Sequence, residues 1–190
     1  MINIVDLFSG AGGLTEGFRG SEFNIVSHVE MDKAACQTLQ VREIYYHLKN
    51  NNNLNNYNEY LAGNLSFSQL TSSVPESITN KIINLPICEE HIQSIFNRID
   101  AELSDNSVHG IIGGPPCQAY STIGRARNES KKHEDQRIYL YKYYIEFLRK
   151  YSPDFFIFEN VKGLLSYKDV DGNLLFPKIE KDFQNALGEN

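Results

Sequence analysis

The sequence predicts an α/β fold of the Rossmann-like, doubly wound type, with a mostly parallel sheet. Short apolar runs alternate with longer segments of helical periodicity, the pattern of a parallel sheet covered by helices. A glycine-rich turn follows the first apolar run, and the later runs end in acidic or Gly-Pro turns. The 190 residues suffice for one such domain with a sizeable core.

The elements can be placed approximately from these patterns. Apolar runs predict strands over residues 2–8, 23–30, 57–62, 108–112 and 155–158. Periodicity predicts helices from the glycine turn to near Gly20, from an Asp32 N-cap to about Leu48, and over residues 86–103 and 135–151. The asparagine-rich stretch 50–58 is interpreted as a surface loop. Residues 66–107 are interpreted as an insertion of unknown role.

Composition limits the classes of protein. No apolar run approaches a membrane span, and no signal peptide precedes Ile2, so we expect a soluble, cytoplasmic protein without a membrane partner. The three cysteines lack disulfide spacing and the five histidines lack metal-ligand spacing, so we expect no metal. The net charge of −6 argues against a nucleic-acid partner unless the basic surface is local or lies outside this chain.

The glycine-rich turn and the acid after it indicate a nucleoside site. Gly10, Gly12 and Gly13 would let the backbone approach a ligand, and Glu30 ends the next strand at the spacing of a ribose-binding acid. Thr15 breaks the dinucleotide fingerprint, and Phe18 replaces the lysine of a P-loop. A phosphate-poor nucleoside such as S-adenosyl-L-methionine (AdoMet) is therefore favoured. Taken alone, the turn fits a plain strand-to-helix connection with an exposed acid equally well.

A second turn, over residues 113–118, is expected to hold Cys117 in a fixed position. Gly113-Gly114-Pro115-Pro116-Cys117-Gln118 follows a buried strand, at the edge where parallel sheets bind ligands. A cysteine held there can be a nucleophile if its thiolate is stabilised. Cys36 is interpreted as a buried structural residue and Cys88 as incidental.

These motifs, in this order, resemble those of the DNA (cytosine-5) methyltransferases. The resemblance covers residues 6 to about 165. It rests on residues 6–13 (DLFSGAGG), Glu30-Met31-Asp32, the turn 114–118, Asp135-Gln136-Arg137 followed by Leu140, and Glu159-Asn160-Val161. Five motifs in the family's order are far more specific than any one of them.

The resemblance implies a set of cofactor contacts. Phe8 and Met31 would lie against the adenine of AdoMet, and Glu30 would hold the ribose. Asn64 stands where the family commonly has an aspartate that reads the adenine amine, and an amide oxygen can accept the same bond. Leu140 would close the methionine side. The implied cofactor-binding residues are Phe8, Gly10, Gly12, Gly13, Glu30, Met31, Asn64, Leu65, Pro116 and Leu140.

The resemblance also implies how cytosine is handled. Cys117 would attack C6 of a flipped-out base, because a thiolate added there makes C5 nucleophilic toward the methyl group. Glu159 would bond the N3 edge, and its place behind an apolar strand would favour its protonated form by burial. Asn160 would brace the surrounding turns. Gln118, Ser121, Arg125 and Asn160 are the implied substrate-binding residues, although a solvated charged loop over 119–134 is a fair alternative.

Competing enzyme classes fail on particular residues. A zinc nucleobase deaminase needs a cysteine where Tyr120 stands and a His-x-Glu where His109-Gly110-Ile111 stands. A nicotinamide oxidoreductase fails at Thr15. Two alternatives stay open: an AdoMet-binding subunit or fragment that is inactive without a partner chain, and an RNA cytosine-5 methyltransferase.

The resemblance further implies that the chain is incomplete. Residues 1–190 would form a partial AdoMet-dependent catalytic domain, without the target-recognition domain and the late motifs of the family. The expected partners are double-stranded DNA and a second chain that carries those parts. The product of AdoMet would be S-adenosyl-L-homocysteine.

Overall fold

The computed structural model describes residues 1–103, 106–116, 136–169 and 171–188. Five strands form one parallel sheet in the order β3-β2-β1-β4-β5, which confirms the predicted fold class. The strands are β1 Ile2–Leu7, β2 Phe23–Glu30, β3 Ile82–Asn84, β4 Gly110–Gly113 and β5 Phe155–Phe158.

Helices connect the strands. They are α1 Lys33–Asn50, α2 Asn55–Leu61, α3 Phe67–Thr71, α4 Glu76–Thr79, α5 Glu89–Leu103, α6 Tyr141–Tyr151 and α7 Leu175–Gly188. Short 3₁₀ helices span Leu14–Phe18, Gln136–Tyr139 and Lys162–Ser166. The Asp32 side chain caps α1 by accepting from the Ala35 N–H at 2.7 Å, as its sequence position predicts.

Both faces of the sheet are buried at its central strands β2, β1 and β4. The face that carries Val5 and Ile111 packs in one cluster with apolar side chains of α5, α6 and α7. On the other face, Ile4 clusters with Leu14 and Phe18 of the first 3₁₀ helix, and Ile82 clusters with Leu39 of α1. Because parallel strands bury both faces, they read as continuous apolar runs in the sequence.

The structure corrects one expected strand and the bounds of two other expected segments. Residues 57–62 form no strand, because α2 spans Asn55–Leu61 and packs Tyr57 and Tyr60 toward α1 and α3; the expected loop over 50–58 also gives way to this helix. The third strand is instead Ile82–Asn84. The helix expected over 135–151 consists, in its described part, of a 3₁₀ turn followed by α6.

The segment expected to be an insertion belongs to the fold. Residues 66–107 contain β3 and α5, the helix that joins β3 to β4. Ile95, Ile99 and Leu103 of α5 are buried in the main core cluster. Removing this helix would therefore open the face of the sheet beneath it.

The β1–β2 ladder contains one irregularity. Ile4 pairs with Ile25 but Val5 pairs with Ser27, which leaves Val26 as an extra residue in β2. As a result Asp6 pairs with His28, whereas an uninterrupted register would pair it with Ser27. The bulge thus determines which side chain of β2 stands beside Asp6.

Candidate active site

The glycine turn after β1 has an unusual backbone. Phe8 has φ 54° and Gly12 has φ 83°, and a bulky residue rarely adopts a positive φ outside functional turns. Gly12 is buried, and a Cβ added there would lie 2.9 Å from Leu39 Cδ2 of α1. The turn therefore runs against α1 at a distance that glycine alone allows. Gly10 and the exposed Gly13 complete the turn.

Glu30 ties this turn to the end of β2. Its carboxylate accepts from the Gly10 N–H at 2.8 Å through one oxygen and from the Asp32 N–H at 2.7 Å through the other. Each carboxylate oxygen retains a second lone pair, because two N–H donors occupy only part of its capacity. Met31, next to it, is 67% exposed. Glu30 is thus both a brace of the turn and a free acceptor at the sheet edge.

Asn84 at the end of β3 is a polar residue that the sequence analysis missed. It pairs with Glu30 in the β2–β3 ladder, and its Nδ2 donates to the Glu30 and Met31 carbonyl oxygens at 3.1 and 2.9 Å. Its amide group also interacts with the buried Cys36 thiol on α1. The apolar pair before it was a weak strand signal, because β3 has only three residues.

Asn64 and Leu65 lie elsewhere. They follow α2 in a turn outside the sheet, where the exposed Asn64 donates to Glu59 Oε2 at 2.7 Å. Neither residue is hydrogen-bonded to the glycine turn or to Glu30 in the described part of the chain. The structure therefore gives the position beside Glu30 to Asn84.

The turn after β4 is fastened to the turn after β5. The Glu159 N–H donates to the Gly113 carbonyl at 2.9 Å, and Asn160 Nδ2 donates to the Pro115 carbonyl at 3.1 Å. A Cβ on Gly114 would lie 1.8 Å from the Glu159 carbonyl oxygen, so the two turns touch backbone to backbone. This arrangement agrees with the bracing expected of Asn160.

Glu159 itself projects outward. Its residue is exposed, so the burial expected from its position behind an apolar strand is not found. Pro116, which is half-buried, is the last described residue before residues 117–135. Cys117, Gln118, Ser121 and Arg125 lie outside the described residues.

Leu140 lies at the start of α6. With Ile92 and Tyr143 it lines a groove of about 650 Å³ between α5 and α6. The residues that line this groove, within the described chain, include none of the glycine turn or of β2. Leu140 therefore lines a groove of which Glu30 is not a part.

The other cysteines differ from a nucleophile in their surroundings. Cys36 is buried on α1 and donates from its Sγ to the Glu30 carbonyl at 3.3 Å. Burial, together with the negative charge of Glu30, raises the pKa of the Cys36 thiol to about 11. At neutral pH this thiol stays protonated, in agreement with the structural role expected for it. Cys88 is half-buried beside the first residue of α5.

A buried charged cluster lies beneath the glycine turn. His28, which is fully buried, has its Nδ1 at 3.1 Å from Asp6 Oδ2 and its Nε2 at 3.2 Å from Glu43 Oε1. Arg19 Nη1 lies 2.6 Å from the same Glu43 oxygen. The sequence analysis missed this cluster, although a histidine within an apolar strand signals a buried partner.

The described part of the chain contains neither a membrane-spanning helix nor a metal-binding cluster of side chains. None of the helices in the described ranges is long and apolar enough to cross a membrane. In the same part of the chain, no group of three or more histidine, cysteine, aspartate or glutamate side chains is arranged to hold a metal ion.

The fold is a Rossmann-like α/β domain that carries the polar residues Glu30 and Asn84 at the carboxyl ends of β2 and β3. The family model of the C-5 cytosine-specific DNA methylases matches residues 2–75 and 79–186. The chain therefore belongs to this family, as its motifs predict.

Individual relatives agree with the family match. The chain is 37% identical to Type II methyltransferase M.Bpa9945I of Bacillus paralicheniformis, over 95% of this chain and 44% of the relative. It is 30% identical to Type II methyltransferase M.DdeI of Desulfomicrobium norvegicum, over 97% of this chain and 34% of the relative. The chain thus spans less than half the length of these relatives.

A solved structure supports the fold. A crystal structure of a putative DNA modification methyltransferase encoded within an E. coli prophage aligns with the whole chain at a TM-score of 0.55 and 22% identity. The aligned region is 38% of that protein.

Proposed function

We propose that this chain is the cofactor-binding and nucleophile-bearing part of an AdoMet-dependent methyltransferase that acts on C5 of cytosine in DNA. The family match supports methyl transfer to DNA cytosine. The observation that best supports AdoMet is the pair Glu30 and Asn84, which are ladder partners and put a carboxylate and an amide group on neighbouring strands at their carboxyl ends.

The turn beside this pair fits a nucleoside without phosphates. The Gly10 N–H is bonded to Glu30, and the Gly12 N–H donates to the Ser9 carbonyl at 2.9 Å. These donors are therefore not free to cradle phosphate oxygens, as they would be in a phosphate-binding loop. AdoMet carries ribose hydroxyls and an adenine amine but no phosphate, and it supplies an electrophilic methyl group.

The two acceptors would divide the cofactor between them. Glu30 accepts from the ribose hydroxyls through its remaining lone pairs, and Asn84 Oδ1 accepts from the adenine amine. Asn84 then takes the role that the family resemblance assigned to Asn64. Phe8 and Met31 supply apolar surface beside the adenine, since both flank the ends of β1 and β2.

Cys117 is the proposed nucleophile. It follows Pro116 directly, and Asn160 holds the preceding turn through the Pro115 carbonyl. Its thiolate would bond to C6 of cytosine, which would make C5 nucleophilic toward the methyl group that bound AdoMet would supply. The C5 proton then leaves to a base, the S–C6 bond breaks, and the thiolate returns. The target base must leave the duplex for C6 to be reached.

The remaining proposed contacts surround the base. Glu159, which is exposed beside the Gly113 carbonyl, would reach the N3 edge of a cytosine entering from solvent. Gln118, Ser121 and Arg125 would contact the base or the neighbouring phosphates. Leu140 would contact the methionine part of the cofactor, as the family resemblance implies.

A further chain or segment would complete the enzyme. The aligned relatives are more than twice as long as the part that this chain matches. In the described sheet β5 is an edge strand, and its Ile157 is 39% exposed. Exposed apolar edges favour pairing with another strand. We infer that the DNA-reading surface, and the cover for β5, come from such a partner or segment.

Covalent trapping tests the proposal. The protein in its natural complete form is incubated with AdoMet and duplex DNA that contains 5-fluorocytosine, which prevents release of the adduct. We expect a stable protein–DNA complex for the wild type and for a Cys88→Ala control, and none for Cys117→Ala. An adduct with Cys117→Ala would overturn the assignment of the nucleophile. Methylation of tRNA instead of DNA would favour the RNA alternative.

A further inference from the structure

The buried imidazole of His28 lies between two carboxylates. Asp6 reaches its Nδ1 from β1, and Glu43 reaches its Nε2 from α1. A carboxylate accepts hydrogen bonds, so a ring that bonds to both must donate from both nitrogens. With both carboxylates ionised, these contacts are made by the doubly protonated imidazolium.

Other charged groups surround Glu43, the carboxylate that contacts Nε2 of His28. Arg19, just after the first 3₁₀ helix, contacts Glu43 at 2.6 Å, and Lys81, just before β3, lies 4.0 Å from its other oxygen. Glu16 lies 2.6 Å from Arg42 and 3.4 Å from Arg19. Asp6 also accepts from the Thr15 hydroxyl, but its Oδ1 is buried without a hydrogen-bond partner among the described residues. Without the His28 proton, this carboxylate would lose one of its few donors.

The cluster holds the glycine turn from both ends. Asp6 is the second-last residue of β1, two residues before Phe8, and its carbonyl accepts from the Ser9 hydroxyl at 2.8 Å. Thr15 and Arg19 lie within and just after the 3₁₀ helix that leaves the turn. A single buried ring thus connects, through Asp6 and Glu43, the residues that enter the turn and those that leave it.

We propose that His28 is a positioning residue, whose imidazolium holds the glycine turn in the shape that binds the cofactor. The inference rests on the proposed AdoMet site. The chain of contacts is short: His28 to Asp6, Asp6 to the start of the turn, and the turn through Gly10 to Glu30. Loss of the proton leaves Asp6 and Glu43 facing a ring that can donate to only one of them.

Proton uptake and loss by this ring link cofactor binding to pH. Burial alone would lower the pKa of His28, but the hydrogen bonds and negative charges of Asp6 and Glu43 outweigh it and raise the pKa. A raised pKa in the folded state gives a stabilisation that is complete below the unfolded value, about 6.5, and is lost as pH rises through the folded value. A cavity of about 720 Å³ that is lined by Arg19, Glu43 and Lys81 gives solvent a route to the cluster.

Calorimetric titration of AdoMet against the complete natural protein tests the proposal. We expect affinity to fall more steeply in the wild type than in His28→Gln as the pH is raised above about 6.5, because the variant has no imidazolium proton to lose. At about pH 7 the variant should bind roughly tenfold more weakly. The amino group of AdoMet titrates in the same range for every protein, so the comparison between proteins removes its contribution. His91→Gln on α5, across the sheet, is the matched control and should follow the wild type.

The outcomes separate this inference from the proposed function. If the wild type does not bind AdoMet at any pH, the proposed cofactor is wrong. If it binds, but His28→Gln shows the same pH dependence, His28 has only a structural role and the inference fails. If His28→Gln does not fold, the protonation state of His28 can still be measured directly in the wild type. Nitrogen-15 NMR of its histidine rings should show His28 doubly protonated at about pH 6.5, where a free imidazole is half neutral, and losing its proton only as the pH is raised further; a neutral His28 ring at about pH 6.5 would also refute the inference.

Discussion

Asn84 lies directly beside Glu30 across the β2–β3 ladder, and its amide group donates to the Glu30 carbonyl at 3.1 Å. This bond turns the Asn84 amide so that its nitrogen faces the backbone of β2. Because the nitrogen is engaged, the carbonyl oxygen of the same amide is the group that would accept the adenine amine in the proposed cofactor site.

The first prediction separates Asn84 from Asn64. Asn84→Ala removes the proposed acceptor for the adenine amine and should weaken AdoMet binding roughly tenfold, the usual worth of one such hydrogen bond. Asn64→Ala, in a turn where it bonds only to Glu59 among the described side chains, should leave the affinity unchanged. Isothermal calorimetry on the two variants decides between the residues. The reverse ranking would restore Asn64 to the cofactor site.

The choice between these residues marks a limit of sequence reasoning. The motif-bearing strands β1, β2, β4 and β5 were predictable because each is an apolar run that ends in a distinctive turn. β3 has only three residues, and apolar runs as short as this occur throughout the chain. Pairing with β2, which is a long-range contact, decides which run becomes the strand.

The second prediction concerns the contact between the turns after β4 and β5. Gly114→Ala would place a methyl group 1.8 Å from the Glu159 carbonyl, so one backbone must move. We expect a loss of about 3 kcal/mol or more in the free energy of unfolding, as for other severe steric insertions. Gly13→Ala is the matched control, because a Cβ there meets no atom within 4 Å and its φ is −61°. Equal urea midpoints for the two variants would contradict the close contact.

The third prediction concerns Glu43 in the buried cluster and how its contribution to the free energy of unfolding changes at acidic pH. Burial would raise the pKa of Glu43, but His28, Arg19 and Lys81 together lower it from 4.5 to about 2. A lowered pKa gives a stabilisation that is present above 4.5 and is lost as pH falls toward 2. Glu43→Gln should therefore cost on the order of 3 kcal/mol at neutral pH, with the difference from wild type shrinking on acidification.

Urea unfolding at a series of pH values measures this effect. Glu102→Gln, on an exposed position of α5, is the matched control and should track the wild type throughout. A Glu43→Gln difference that stays constant down to about pH 2 would show that the carboxylate charge is not what stabilises the cluster.

The sequence indicates that buried His28 needs a polar partner, but it does not identify Asp6 and Glu43 as the partners. His28 stands in an apolar strand, where an unpaired polar side chain would be costly, so a partner was to be expected. Its identity depends on the extra residue Val26, which brings His28 instead of Ser27 beside Asp6. A bulge in a parallel ladder leaves no mark in the alternation of a strand that is buried on both faces.

The last prediction is that the 190-residue chain alone does not methylate DNA. The proposed cofactor-binding residues Glu30 and Asn84 lie at the ends of β2 and β3, within this chain. The chain nevertheless spans only 44% and 34% of the two methyltransferases described above. At the other end of the described sheet, β5 has no strand on its outer side, and Ile157 is 39% exposed. A strand edge of this kind favours association, either with a chain that carries the rest of the enzyme or with a second copy. We expect the purified chain to self-associate in sedimentation experiments and to transfer no labelled methyl group from AdoMet to mixed-sequence duplex DNA above the level of Cys117→Ala. Turnover well above that control, with no other chain present, would mean that this sheet and its turns suffice for the reaction.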